Sequence, residues 1–190
     1  MGDDAELMRR VARGDTGAFR CLVENHQKGI YNFFLRSTGR IEDAEDLTQQ
    51  LFINLFRAAH RYRPTASFKT YIYKIAANMA VSFARMRKRK TAVSLDEMKE
   101  GGYEPAYRAG EVDPVAFVEE KELEEAYVRA LVRLPQDWRT AIELKVGRGF
   151  SYKEIAEVMG KSVSAVESII FRARERLADE LKRFRGEDEG

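Results

Sequence analysis

Cysteine is nearly absent from this chain, Cys21 being the only one. A single thiol excludes a disulfide framework and any zinc site built on cysteines. Histidine is almost as scarce. His26 and His60 stand far apart in sequence without evident partners, and no Gly-rich phosphate loop accompanies them, so neither a metal, a cofactor nor a catalytic constellation is expected. No apolar run approaches the roughly 20 residues that span a bilayer. Met1–Arg10 is acidic and polar where a secretory signal would turn apolar, so a cytoplasmic setting without membrane insertion is expected. Excess charge of one sign is missing too. The 33 basic and 31 acidic residues leave +2, so any basic surface must be local.

What remains is a chain suited to helices. Only four of the 190 residues are proline, and the 44% apolar share supports real cores. The length suits one ordinary domain or two small ones. Leu7, Val11, Ala18, Phe19 and Leu22 recur at helical spacing, interrupted at Gly14-Asp15-Thr16, where Asp15 or Thr16 can cap a second helix. That helix runs through Tyr31, Phe33, Phe34 and Leu35 to Thr38-Gly39. Cys21 beside Leu22 is expected to be packed.

Ile41 to His60 forms a third helix. Glu42-Asp43-Ala44-Glu45-Asp46 places negative charge at its start, where the helix dipole favours it. Leu47, Leu51 and Leu55 mark one face, flanked by Phe52 and Phe56. Asp46, Gln49, Gln50 and Asn54 mark the other, which reads either as a solvated face or as a protein-docking one.

Arg61 to Ser67 is a loop around Pro64, and Ser67 can cap the helix that follows. Phe68, Tyr71, Ile72, Ile75, Ala76, Met79 and Phe83 trace one face of that helix. Tyr62, Tyr71 and Tyr73 lie among Arg61, Arg63, Lys69 and Lys74. Rings interleaved with cations suit a single-stranded nucleic acid, with stacking worth about 1–3 kcal/mol per base. The same tyrosines also fit as half-buried helix residues. Arg85 to Lys90 then places five positive charges in six residues. That block ends the helix and favours contact with a polyanion.

Residues 91–117 change character. Gly101-Gly102, Pro105, Gly110 and Pro114 occur among acids, and this stretch reads as a flexible acidic linker between two units separately placed on a partner. A helical pattern resumes at Val118 and breaks at Leu134-Pro135, with Asp137 able to cap the next helix. Ser151 and Glu154 have the spacing of a capping box. Gly160 suits the left-handed end of a short helix, and Ser162 can cap the next, which repeats Val166, Ile169, Ile170, Ala173 and Leu177. This is the pattern of a helix-turn-helix, whose second helix enters the DNA major groove. The fold expected is all-α: two small helical domains, residues 1–90 and 118–190, the second carrying the helix-turn-helix.

In this combination and order the chain resembles the extracytoplasmic-function (ECF) sigma factors of the sigma-70 family. DAEDLTQQLFINLFRA at Asp43–Ala58 looks like the family's core-polymerase-binding helix. YRPTASFKTYIYKIAANMA at Tyr62–Ala80 looks like its promoter-melting and minus-10-reading segment. The stretch from Leu134 to Leu177 looks like its minus-35-reading domain. The resemblance implies that Asp43, Asp46, Leu47, Gln49, Gln50 and Phe52 dock on the coiled coil of the largest subunit of core RNA polymerase, the second domain meeting the flap. Gln50 departs from the Glu common in the family. The resemblance also implies that Arg61, Tyr62, Arg63, Ser67, Lys69, Tyr73, Lys74, Asn78 and Arg85 meet minus-10 DNA. Ser162, Ser164, Ala165, Ser168, Phe171, Arg172, Arg174 and Arg176 would meet the minus-35 duplex. Glu167 departs from the Lys or Arg of many relatives. Promoter DNA and an anti-sigma factor are the further partners implied. A helix-turn-helix regulator that dimerises on its own operator is the rival reading, but it has no need of the Asp43 helix and the aromatic-basic segment together.

Overall fold

The computed structural model describes residues 3–63, 66–93 and 114–187. The described residues form eight α-helices and contain no strand. The N-terminal unit holds α1 (Asp4–Ala12), α2 (Thr16–Thr38), α3 (Ile41–Ala58), a 3₁₀ turn at Ala59–Arg61 and α4 (Phe68–Val93). The C-terminal unit holds α5 (Pro114–Val132), α6 (Gln136–Ile142), a π turn at Glu143–Gly147, α7 (Tyr152–Met159) and α8 (Val163–Glu187). No helix among the described residues is long and apolar enough to cross a membrane.

Local chemistry sets the helix ends. Asp15 caps α2 by accepting from the Ala18 amide at 2.9 Å, and its carboxyl is held below the ordinary value by that bond and by the Arg10 guanidinium. Gly39 closes α2 at φ 72°, a conformation that costs a side-chain-bearing residue a Cβ clash. Ser67 caps α4, its Oγ accepting from the Thr70 amide at 3.0 Å. The capping box at α7 is complete: Ser151 Oγ accepts from the Glu154 amide, and the Glu154 carboxylate accepts from the Ser151 amide at 2.8 Å. Asp137 does not cap α6. Pro135 occupies that cap without a side-chain bond, and Asp137 instead pairs with Lys161 at 3.0 Å.

The first core gathers Met8, Leu22, Ile30, Phe33, Phe34, Leu51, Leu55 and Ile72, all fully buried. The second gathers Leu131, Ile142, Leu144, Ile155, Val166 and Ile170. Each such side chain contributes about 1.5–3 kcal/mol by leaving water. Cys21 belongs to neither core. It lies on the exposed face of α2, because one residue step turns a helix about 100° away from buried Leu22. His26 does have a partner: its Nε2 lies 2.9 Å from Asp4 Oδ2, joining α2 to α1.

The two cores are continuous through a seam. Tyr73 of α4 meets Phe150 edge-on, with centroids 5.3 Å apart. Arg139 of α6 reaches the backbone carbonyls of Ser37, Val132 and Leu134, placing a cation at the C-terminal ends of α2 and α5, where the helix dipoles favour it. Burial, with Arg87 nearby, lowers its pKa to about 10. The helices also extend beyond their expected limits. α4 runs past the basic block to Val93 and α5 begins at Pro114, so both ends of the expected linker are helical, while residues 94–113 of it lie outside the described residues.

Candidate functional site

Three surfaces carry the residues singled out in the sequence. The first is the outer face of α3. Asp46, Gln49 and Gln50 are exposed there, and Gln50 donates to Asn54 Oδ1 at 2.9 Å. Asp46 and Gln49, but not Gln50, rim a groove of about 850 Å³ between α2 and α3, floored by Phe19, Val23, Phe52, Ile53 and Phe56. Phe56 and Ile53 are 44% and 38% exposed, so the floor is open to a partner. Phe52 is buried, edge-on to Phe19, and Leu47 is half-buried. Asp43 sits apart, paired with Arg40 at 3.6 Å and with Arg87 of α4 at 3.5 Å. A polar rim around an open apolar floor is the anatomy of a helix-docking groove.

The second surface is the turn Arg61–Phe68 with α4. Arg61 and Arg63 are exposed, and Arg63 donates back to the Tyr62 carbonyl at 3.1 Å. Lys74, Asn78 and Arg85 form an exposed stripe along α4 at helical spacing. The tyrosines are more deeply packed than an open aromatic face requires. Tyr62 is 7% exposed against Tyr71 and Phe68, and Tyr73 is 4% exposed between Phe33 and Phe150. Ser67 is exposed, its Oγ engaged at the α4 cap. Lys69 is exposed, and its ammonium donates to the Arg148 carbonyl at 2.8 Å and lies 4.5 Å from the Phe150 ring centroid.

The third surface is the N-terminal half of α8, presented by the α7–α8 turn. Gly160 takes φ 62°, and Ser162 Oγ accepts from the Ala165 amide at 3.2 Å. Val166, Ile170 and Ala173 face the core. Ser164, Glu167, Ser168, Phe171 and Arg172 face solvent, and Ala165 is half-buried at the edge. Phe171 is 63% exposed, unusual for so large an apolar side chain on a soluble face. Arg172 is steadied by the Ser168 carbonyl at 3.2 Å and lies 5.9 Å from the Trp138 ring centroid. Arg174 is exposed, whereas Arg176 pairs at 3.0 Å with the buried Glu180.

These surfaces coincide with known family segments. The Sigma-70 region 2 family matches residues 22–90, and the Sigma-70, region 4 family matches residues 124–177. The chain is 34% identical over 182 residues to RNA polymerase sigma-H factor of Pseudomonas aeruginosa, covering 94% of both chains. It is 33% identical over 181 residues to ECF RNA polymerase sigma-E factor of Escherichia coli K12, again covering 94% of each. The chain belongs to the sigma-70 family, among its ECF sigma factors. Its fold agrees with solved members. CnrH in complex with the cytosolic domain of CnrY superposes with a TM-score of 0.69 at 27% identity, over 96% of this chain and 99% of that one. The sigma factor RpoE of Bartonella quintana, solved with the anti-sigma factor NepR, gives 0.69 at 25% identity, over 86% and 96%.

In this sigma factor, sequence reasoning found the exposed faces of α3, α4 and α8. It missed the polar group at the seam. Glu143 is fully buried, and its carboxylate accepts from Arg36 at 3.2 and 3.3 Å and from Arg148 at 3.2 Å. Burial pushes the Glu143 carboxyl up, and the two guanidiniums pull against that shift. Arg36 and Glu143 stand 107 positions apart, and no periodic pattern links residues at that distance.

Proposed function

We propose that this sigma factor docks on the coiled coil of the largest subunit of core RNA polymerase through the α2–α3 groove and its Asp46–Gln49 rim. It then opens the minus-10 DNA with the Arg61–Phe68 turn and α4, and reads the minus-35 duplex with the N-terminal half of α8. The observation that carries this is the groove: an open apolar floor with a polar rim, lying on the helix whose sequence resembles the family's core-binding segment. We place the two domains near residues 1–90 and 118–190; the helices that end at Val93 and resume at Pro114 support that division. The protein acts by binding and not by catalysis, in the cytoplasm where polymerase and promoter DNA are. Bases that leave the stack cost a few kcal/mol each, and contacts that exist only with the flipped base offset this, so no nucleotide hydrolysis is required. Phosphate contacts from Arg174 position the reading helix, while Ser164, Ser168, Phe171 and Arg172 address base edges. The solved complexes of CnrH with CnrY and of RpoE with NepR support an anti-sigma factor as a further partner. Transcription in vitro with bacterial core polymerase on a broad genomic template tests the proposal. Promoter-specific transcripts that require the protein are expected, and their absence overturns it.

A further inference from the structure

The first turn of α6 stands beside the helix-turn-helix and is tied to it at two points. Asp137 pairs with Lys161 of the α7–α8 turn at 3.0 Å. The next residue, Trp138, lies under Arg172 of α8, whose guanidinium carbon is 5.9 Å from the ring centroid. That is within the roughly 6 Å at which the face of an indole attracts a cation. Trp138 is half-buried and packed against the core, while Arg172 is exposed. The ring is therefore fixed by its own surroundings and offers the arginine a rigid support.

Arg172 is held from two sides. Its Nε donates to the Ser168 carbonyl one turn back at 3.2 Å, and the indole lies against the guanidinium. Among the described residues neither of its two Nη groups donates to an acceptor. Those two groups are the end of the fork that can meet the O6 and N7 acceptors of a guanine in the major groove. A free arginine loses rotamer freedom when it binds, and that loss subtracts from affinity. A planar fork already held in one orientation loses less.

We propose that Trp138 is a positioning residue of the minus-35 interface: without touching DNA, its indole holds the Arg172 guanidinium with both Nη groups turned outward, ready for a guanine edge. This rests on the assignment of α8 to minus-35 DNA given above.

A double-mutant cycle on the holoenzyme, titrated with labelled promoter duplex, tests the role. Trp138→Leu keeps an apolar side chain at the edge of the core and removes the aromatic face. With Arg172 present it is expected to weaken minus-35 binding about two- to tenfold, the range set by ordering one long side chain or losing one cation–π contact. In an Arg172→Ala background the same change is expected to leave binding unaltered. Equal losses in the two backgrounds overturn the proposal, because the ring then acts through packing alone. Tighter binding by Trp138→Leu also overturns it, because the ring then holds Arg172 away from DNA. A second measurement leaves the ring in place and needs no polymerase. Trp138 is the only tryptophan in the chain, so the indole fluorescence of the free full-length protein reports on it alone. Acrylamide is expected to quench it faster in Arg172→Ala than in wild type, since the guanidinium no longer covers the ring. Equal quenching overturns the contact. If wild-type holoenzyme binds a scrambled minus-35 duplex as well as the intact one, the assignment of α8 fails and the positioning role falls with it, whereas equal losses in the cycle leave that assignment standing.

Discussion

Ile170 and Phe171 are adjacent in α8, yet their removal should fail in opposite assays. Ile170 is 1% exposed and Phe171 is 63% exposed. Ile170→Ala empties a packed site in the second core and should cost about 2–5 kcal/mol, by lost transfer energy together with the cavity left behind. Phe171→Ala touches little inside the protein and should change stability by no more than about 0.5 kcal/mol. Its worth lies outside. About 120 Å² of the side chain is open, which at roughly 25 cal/mol per Å² sets a ceiling of about 3 kcal/mol for a partner that covers it all. DNA approaches from one side and covers about half, so the loss should be about 1–2 kcal/mol, or roughly tenfold in affinity for a minus-35 duplex. Thermal unfolding followed by circular dichroism gives the first quantity, and holoenzyme titration of labelled promoter duplex gives the second. A Phe171→Ala protein that unfolds as early as Ile170→Ala refutes the placement of that ring. One that binds promoter as tightly as wild type refutes α8 as the reader in this orientation.

Asp46→Ala and Gln49→Ala should each weaken core polymerase binding without lowering the unfolding temperature, since both side chains are exposed on the groove rim; unchanged core affinity in both rejects that rim. The Ser151 hydroxyl and amide hold the Glu154 carboxyl below its ordinary value of 4.5. The capping box therefore contributes fully above that value and loosens as acid carries the pH down through the depressed one. An NMR acid titration in which Glu154 titrates at or above the ordinary value would falsify this. Phe150→Ala should cost about 3–5 kcal/mol in denaturant unfolding, because the ring is 1% exposed between Tyr73 and Lys69; a loss under about 1 kcal/mol would mean that the seam closes little apolar surface.

Legibility in the sequence followed the range of the interactions. The caps at Asp15, Ser67, Ser151 and Ser162 are bonds between residues three apart, and each formed where the local pattern placed it. The stripes of α2, α3 and α8 were equally readable, because helical periodicity alone decides which side is buried. Tyr73 shows where that reasoning stops. It lies in sequence between Lys69 and Lys74, which suggests an outward ring, but α4 has a second unit against it and the ring is sandwiched between Phe33 and Phe150. Glu143 shows the same limit from the other side. In the sequence it is one more acid on a helix, and its burial has a reason only in the fold, where Arg36 from α2 joins Arg148 on its carboxylate. Cys21 marks a limit at shorter range: it adjoins buried Leu22 yet is exposed, because one residue turns a helix by about 100°.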